Sequence, residues 1–283
     1  MNKIGLVLEG GGMKGMFTAG VLDFFMEKNL EFAEIIGVSA GAIHACSFIS
    51  KQRERSKNVT LEFINDKRYC SFKSLRQTGD LFNAKFSYYD IPEKYYPFDL
   101  ATFKKNKTKF LVGVTNVETG EAEYLEINNF EHGEIEAVRA SASLPMVANI
   151  VEYQGKKYLD GGITDQIPLR KMEADGIKKS VVISTKPAGW RRKPSKAYLL
   201  MKRKYKEYPK IVEKIKNRHL VFNETMDYIE KQVKENKVFF ISATEDLKVK
   251  RIDKNLTRLE KAYRCGYETA QRLYPDLITF MGK

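Results

Sequence analysis

The chain lacks long apolar runs, a leader segment and a cysteine framework, and each absence excludes a class of protein. No run of about 18 apolar residues occurs, so no membrane-spanning helix is expected. The first residues, MNKIGLVLEGGG, contain neither an apolar leader core nor a small-residue cleavage site, so no secretory signal is expected. The three cysteines, Cys46, Cys70 and Cys265, are odd in number and scattered, which favours a reducing compartment. We therefore predict a cytoplasmic protein.

Histidine is also scarce, and this limits the metal and acid–base chemistry available. The chain has three histidines, His44, His132 and His219, and no Cys/His group has the spacing of a zinc site. We therefore predict no bound metal.

The 283 residues, 43% of them apolar, suit one large domain or one domain with an insertion.

Acidic residues are sparse in one segment, and this makes the chain basic. The net charge is +13, and residues 186–218 hold thirteen Lys and Arg against two acids, Glu207 and Glu213. Aromatic and aliphatic residues such as Trp190, Leu199 and Leu200 are interspersed among the cations. Such a pattern suits contact with an anionic membrane surface, or two solvated helices that pack their apolar stripe on the core. No nucleic-acid-binding motif is present, and no nucleic acid is expected.

The first third of the chain alternates between buried strands and amphipathic helices. Strands are predicted at 4–9 and 34–39, each followed by a helix, at 13–29 and 40–52. Short connections between such units predict a mainly parallel sheet with helices on both faces, a three-layer α/β fold.

The later segments are predicted from their apolar pattern and turn residues. The stretch 53–107 is irregular and is predicted as a loop over the core. The remaining predictions are hairpins at 109–127 and 150–162, strands at 180–185 and 237–244, helices at 133–143 and 255–274, and two or three basic helices within 195–236, broken near Pro209. We predict one domain, 1–283, with a basic helical insertion or lid at about 186–236.

A serine lies between two glycines where the second strand gives way to a helix. Residues Gly37 to Gly41 spell GVSAG, a G-x-S-x-G spacing. In a nucleophile elbow the turn is so sharp that only residues without bulk fit beside the serine. The Ser39 hydroxyl would then project at a helix N-terminus, where partial positive charge favours an oxyanion. The alternative is an ordinary Ser N-cap.

The glycine loop Gly10-Gly11-Gly12, which follows the first strand, permits three interpretations. The spacing Gly10-x-Gly12-x-x-Gly15 fits a dinucleotide-binding loop, but the second strand ends in a serine where such folds need an acid. A phosphate loop would require lysine where Met16 stands. Three successive glycines can also expose backbone N–H groups as an oxyanion hole.

The base that would serve Ser39 is not obviously a histidine. His219 lies in the basic segment, His44 points away from Ser39 along its helix, and His132 lies in a loop before a helix. Asp160, in YLDGGI, is a carboxylate at a strand end before two glycines. A buried carboxylate can act directly as a base, although an isolated Asp-Gly-Gly is more often a simple turn.

Together the three motifs resemble those of the patatin-like phospholipase family. That family has G-G-G-x-[K/R]-G, G-x-S-x-G and D-G-[G/A], and this chain has GGGMKG at 10–15, GVSAG at 37–41 and DGG at 160–162. The segment VRASASLPM, 138–146, also resembles the family's segment before the catalytic aspartate. The resemblance covers roughly residues 4–185.

The resemblance implies a lipid acyl hydrolase without cofactor. Ser39 would be the nucleophile and Asp160 the base of a dyad, and the N–H groups of Gly10, Gly11 and Gly12 would stabilise the oxyanion of an acyl-enzyme reaction. One departure is Gln166, which stands where many members have Asn and is expected to loosen or reshape support of the nearby loop. Two other functions remain open: a soluble carboxylesterase or thioesterase for short acyl chains, and a non-catalytic nucleotide-binding protein using the Gly10–Gly15 loop.

Overall fold

A single β-sheet organises the chain. The computed structural model describes residues 3–282, and within them the sheet has eight strands. The strands are β1 Ile4–Leu8, β2 Glu34–Val38, β3 Lys109–Asn116, β4 Ala122–Glu126, β5 Val151–Tyr153, β6 Lys156–Asp160, β7 Lys179–Ile183 and β8 Val238–Ile241. The strand and hairpin predictions from the sequence are confirmed.

Five of the strands pair with their neighbours in parallel and form one continuous part of the sheet, which ends at the edge strand β8. The order along the sheet is β5-β6-β3-β2-β1-β7-β8, and β4 also pairs with β3. The pairs β3–β2, β2–β1, β1–β7 and β7–β8 are parallel, whereas β4, β5 and β6 pair antiparallel. Every residue of β1 and β2 is buried, which explains why both strands are apolar apart from Glu34, whose carboxylate pairs with Lys109.

Helices cover both faces of the sheet. They are α1 Met16–Glu27, α2 Ala40–Ile49, α3 Arg55–Phe63, α4 Phe72–Thr78, α5 Leu100–Lys105, α6 Glu134–Ser141, α7 Leu169–Ala174, α8 Tyr198–Lys204, α9 Pro209–Lys234 and α10 Leu256–Met281. Leu6 and Leu8 of β1 pack in one core with α1, α2 and α10, and Val7 packs in a second core with α7 and α9. The predicted three-layer α/β fold is therefore confirmed.

Strand β3 brings two chain segments together at one edge. Its residue Gly113 pairs with Val38 of β2, and the next residue, Val114, pairs with Asp160 of β6. Both β3 residues also pair with β4, which therefore occupies the opposite edge. The carboxyl ends of β2 and β6 consequently meet end to end, and this places Ser39 beside Asp160.

The prediction of an irregular loop over 53–107 is wrong. This stretch forms α3, α4, α5 and a π-helical segment, Phe86–Tyr95. Ser71 and Asp99 cap α4 and α5 by accepting hydrogen bonds from the N–H groups of Ser74 and Thr102. The helices are too short to show a clear apolar period in sequence, and packing holds them in place, as where Phe63 of α3 is buried against Phe86 and Ile91 of the π-helical segment.

The closing helix is longer than predicted. The sequence predicted a helix over 255–274, ending before Pro275, but α10 continues to Met281 and ends at Gly282, which has φ 72°. Leu277 and Phe280, beyond the proline, are buried in the core that covers the sheet. This packing outweighs the lost backbone hydrogen bond at Pro275.

The helices within residues 3–282 include none whose length and hydropathy would let it cross a bilayer.

Candidate active site

Ser39 occupies a strained backbone position between β2 and α2. Its φ is 55° and its ψ is −123°, a combination that a residue with a side chain rarely adopts. A Cβ on Gly41 would lie 2.5 Å from the carbonyl oxygen of Leu8, and one on Gly37 would lie 2.7 Å from Ala42. The G-x-S-x-G spacing is therefore required by close backbone contacts, as in a nucleophile elbow.

A second serine braces this turn. The N–H of Ser39 donates to Ser141 Oγ at 2.7 Å, and Ser141 Oγ donates to the carbonyl oxygen of Gly113, also at 2.7 Å. Ser141 is fully buried at the end of α6. Ser141 lies in the segment VRASASLPM, 138–146, but no role was predicted for this serine from the sequence.

Asp160 ends β6 and lies next to Ser39. Its side chain is buried, and Oδ1 accepts a hydrogen bond from the N–H of Gly162 at 2.8 Å. Burial raises the pKa of the Asp160 carboxyl, whereas the charge of Arg218 and the neighbouring Ser39 hydroxyl act in the opposite direction. Oδ2 is buried and accepts no hydrogen bond of ordinary geometry from the described residues. Ser39 and Asp160 are therefore adjacent without a well-formed hydrogen bond between their side chains.

The three histidines lie elsewhere. His44 is buried beside Gly15, where burial lowers its pKa to about 4. His132 is exposed in the loop before α6, and His219 of α9 bonds through Nδ1 with the carbonyl oxygen of Lys216. None of the three makes a hydrogen bond with Ser39 or Asp160.

The glycine loop lies against the serine. A Cβ on Gly10 would be 3.0 Å from Ser39 Cβ. The flanking amides are paired, since Glu9 N–H donates to Ile183 and Met13 N–H donates to Arg251. Among residues 3–282 no acceptor is found for the N–H groups of Gly10, Gly11 and Gly12. The loop therefore holds three free donors, and Gly10, the first of its glycines, lies against Ser39.

A buried charge network supports the loop. Glu9 is fully buried, and its carboxylate accepts hydrogen bonds from Ser184 Oγ at 2.7 Å and from the N–H of Thr185. The Lys186 ammonium lies 3.3 Å from the same carboxylate. Burial opposes ionisation of Glu9, but the Lys186 charge and these hydrogen bonds outweigh it and keep its pKa below the usual value.

Gln166 connects this network to the glycine loop. Its amide nitrogen donates to the Glu9 carboxylate and, at 3.0 Å, to the carbonyl oxygen of Gly10. Its amide oxygen accepts from the guanidinium groups of Arg192 and Arg218. The departure from asparagine at this position therefore provides direct support for the loop.

Three arginines near the site were missed in the sequence. Arg192 follows β7, Arg218 lies on α9, and Arg251 precedes α10. Arg218 lies beside Asp160. A Cβ added to Gly162 would be 3.0 Å from a terminal nitrogen of Arg218 and 2.9 Å from Asp160 Oδ1, so both groups border the same position. Local sequence gave no signal for them beyond their place in or after the basic segment.

The site is covered. Ser39 is 5% exposed and Asp160 is 2% exposed. The cavity beside Gly162 and Arg218 has a volume of only about 10 Å³, enough for one water molecule. Close to Asp160 in the chain, Leu159 and Ile163 are covered by an apolar cluster that includes Tyr205, Ile211 and Ile215.

A much larger groove, about 740 Å³, lies away from the dyad, along the edge strand β8 between α9 and α10. Among residues 3–282, no three His, Cys, Asp or Glu side chains gather as metal ligands.

Known protein families match two parts of the chain. The Patatin-like phospholipase family matches residues 6–172, more than half of the chain, and a Domain of unknown function (DUF6363) matches residues 208–282. An uncharacterised Escherichia coli protein, YjjU, is 29% identical over 192 residues, which are 66% of this chain and 53% of YjjU. The chain therefore spans about half the length of that relative.

Two further proteins are similar. The human patatin-like phospholipase domain-containing protein 4 is 24% identical over 177 residues, 60% of this chain and 68% of the relative. The crystal structure of VipD from Legionella pneumophila superposes with a TM-score of 0.50 at 14% identity, covering 98% of this chain and 67% of VipD. This structural likeness concerns the fold alone.

Proposed function

The chain belongs to the patatin-like phospholipase family, and on that premise we propose that it hydrolyses carboxylic acyl esters of phospholipids or related lipids with Ser39 and Asp160. Ser39 Oγ attacks the ester carbonyl while Asp160 accepts the hydroxyl proton. The carbonyl oxygen, as it becomes negative, receives hydrogen bonds from N–H groups of Gly10, Gly11 and Gly12. The alcohol leaves with a proton from Asp160, and water then hydrolyses the acyl-enzyme with Asp160 as base.

The strained Ser39 carries this proposal. A non-glycine residue at φ 55° is costly, about 1–3 kcal/mol, and persists only where surrounding structure imposes it. Ser141, Gly37 and Gly41 impose it here. The buried Asp160 and Gly10 of the glycine loop lie beside this turn, and a serine, a carboxylate and free amides are the groups that acyl transfer requires.

The dyad is tested with matched substitutions. Ser39→Ala and Asp160→Asn are each expected to reduce ester hydrolysis to below a few per cent, because one removes the nucleophile and the other the proton acceptor. The measurement is hydrolysis of a lipid panel read by mass spectrometry, beside labelling with a fluorophosphonate probe, which traps an activated serine.

The control is a triple variant of His44, His132 and His219, which is expected to keep most activity if it remains folded. A folded triple variant without activity would show that a histidine is the base. Wild-type protein that binds NAD or ATP and is not labelled by the probe would favour the nucleotide-binding alternative.

We further propose that residues 186–218 act as both lid and membrane contact. The inner side chains of this segment, Tyr205 and Ile211, cover the residues beside Asp160. Its outer side exposes Leu199 and Leu200, which are 75% and 63% exposed, next to cations on the same helix, α8. Docking of α8 on an anionic inner membrane face would move the cover away from the dyad where lipid is available.

A further inference from the structure

The three arginines beside the dyad converge from separate segments of the chain. Arg192 and Arg218 both donate to the amide oxygen of Gln166, so their guanidinium groups are neighbours. Arg251 is close enough to lower the pKa of both, after the larger effect of burial. All three lie outside the part of the chain that matches the patatin-like family.

These cations form no close ion pair, although the carboxylates of Asp160 and Glu9 lie near enough to favour the charged forms of Arg192 and Arg218. No described carboxylate lies within 4.0 Å of Arg192, Arg218 or Arg251, whereas the adjacent Arg191 pairs with Asp227 and Glu230. The shared acceptor, Gln166, is neutral. The Nε atoms of Arg192 and Arg218 are buried without any hydrogen-bond partner among the described residues. Like charges are therefore held together at a cost that a bound anion would offset.

Neighbouring residues hold the guanidinium groups of Arg192 and Arg218 in place, and N–H donors of all three arginines remain free. Arg192 stacks on Phe222, with its guanidinium carbon 4.9 Å from the ring centroid. Arg218 is fixed against Gly162. The Arg251 side chain is exposed and makes no hydrogen bond or ion pair within residues 3–282. Planar guanidinium forks match the geometry of phosphate oxygens, which can accept several such donors at once.

We propose that Arg192, Arg218 and Arg251 bind the phosphate group of the acyl-ester substrate and so make the enzyme select phosphate-bearing over neutral lipids. This inference rests on the proposed function, because the cluster lies beside Asp160 and would hold the phosphate while the ester reaches Ser39. Arg218 and Arg251 belong to the region, 208–282, whose family description assigns no function, and the proposal gives that region a role in substrate choice.

The test compares two substrates that differ only in the phosphate. Octanoyl lysophosphatidic acid and octanoyl glycerol carry the same acyl ester and remain monomeric, so membrane docking does not contribute. Arg251→Gln is expected to lower the ratio of kcat/KM for the phosphate ester to that for the neutral ester by roughly tenfold or more, mainly through KM. Arg251→Lys should recover part of the ratio. Arg272→Gln, an exposed arginine of α10, is the control and should leave both rates unchanged.

Binding separates this proposal from the proposed function. The Ser39→Ala protein is titrated calorimetrically with octanoyl lysophosphatidic acid, octanoyl glycerol and inorganic phosphate. Tighter binding of the phosphate ester than of the neutral ester, lost in Ser39→Ala/Arg251→Gln, is expected even if no ester is ever hydrolysed. An unchanged ratio in both Arg251→Gln and Arg218→Gln, or equal binding of the two esters, would overturn the proposal. Inorganic phosphate that binds as tightly as the lipid would also overturn it, in favour of a site for free phosphate.

Discussion

At the scale of single residues, the site depends on positions where no side chain fits. Gly10 lies against Ser39, where a Cβ would approach Ser39 Cβ to 3.0 Å. Gly12 has φ 58°, and a Cβ there would meet the carbonyl oxygen of Arg251 at 2.4 Å. A side chain at either position would therefore displace the loop that carries the proposed oxyanion donors. Their requirement is steric and conformational, which explains why the sequence motif is rich in glycine.

Gly11→Ala tests the oxyanion hole. The new Cβ would lie 2.6 Å from Thr185 Oγ1, so either Thr185 or the loop must shift. A displaced amide acts mainly on the transition state, so kcat is expected to fall by about 10²–10³ with a smaller change in KM. Steady-state kinetics on a short soluble ester measure the two constants. A change confined to KM would argue against the oxyanion role of this loop.

At the scale of elements, α8 differs from the other helices in what it exposes. It has no buried residue, and its last turn carries Lys202, Arg203 and Lys204. Tyr198 and Met201 pack loosely on the cover, whereas Leu199 and Leu200 face solvent. A short helix with exposed leucines and unpaired cations is better suited to a membrane surface than to water.

Charge reversal on this helix tests the membrane contact. Changing Lys202, Arg203, Lys204 and Lys206 to Glu is expected to abolish most binding to anionic vesicles, because each cation near such a surface contributes about 1 kcal/mol. Activity on vesicles should fall, and hydrolysis of a short soluble ester should change little. Co-sedimentation at low and high salt measures binding, since salt screens exposed charges within about 8–10 Å.

Leu199→Ser/Leu200→Ser is the companion variant, which should weaken binding without making it more salt-sensitive. Equal losses on soluble and vesicle substrates would mean that α8 supports the fold or covers the site. Wild-type protein that fails to sediment with vesicles would exclude the membrane role.

At the scale of the whole molecule, the C-terminal third completes a site begun by the first two thirds. Ser39, Asp160 and the glycine loop lie within residues 6–172, the part that matches the patatin-like family. Helix α9, beyond that part, covers one face of the sheet through Phe222 and Met226 and carries Arg218 to Asp160. The acidity of the proposed base therefore depends on a residue from a distant segment.

The pH profile of Arg218→Gln tests this dependence. Asp160 must be ionised to accept the proton, and burial raises its pKa, so activity should disappear as pH falls through a value above the usual carboxyl range. Arg218 opposes that rise, and its removal should move the acid limb of kcat/KM to higher pH. The measurement uses a short neutral ester, with Arg272→Gln as the control. An acid limb that stays in place or moves to lower pH would contradict the role of Arg218.

The sequence by itself determined what is local. Unbroken apolar runs gave β1 and β2, and turn glycines gave the hairpins, because one short segment contains the whole pattern. The three motifs that contain Gly10, Ser39 and Asp160 were also visible, since each is a contiguous backbone requirement. Their resemblance to a known family agreed with the fold class that the alternation of strands and helices predicted.

Only the tertiary structure decided which residues from distant segments of the chain come together. The adjacency of Ser39 and Asp160 follows from strand pairing along β3, which no local pattern specifies. The helices within 53–107 were missed because packing holds them more than propensity does. The convergence of Arg192, Arg218 and Arg251 remained hidden for the same reason: three cations from separate segments have no common pattern until the chain folds.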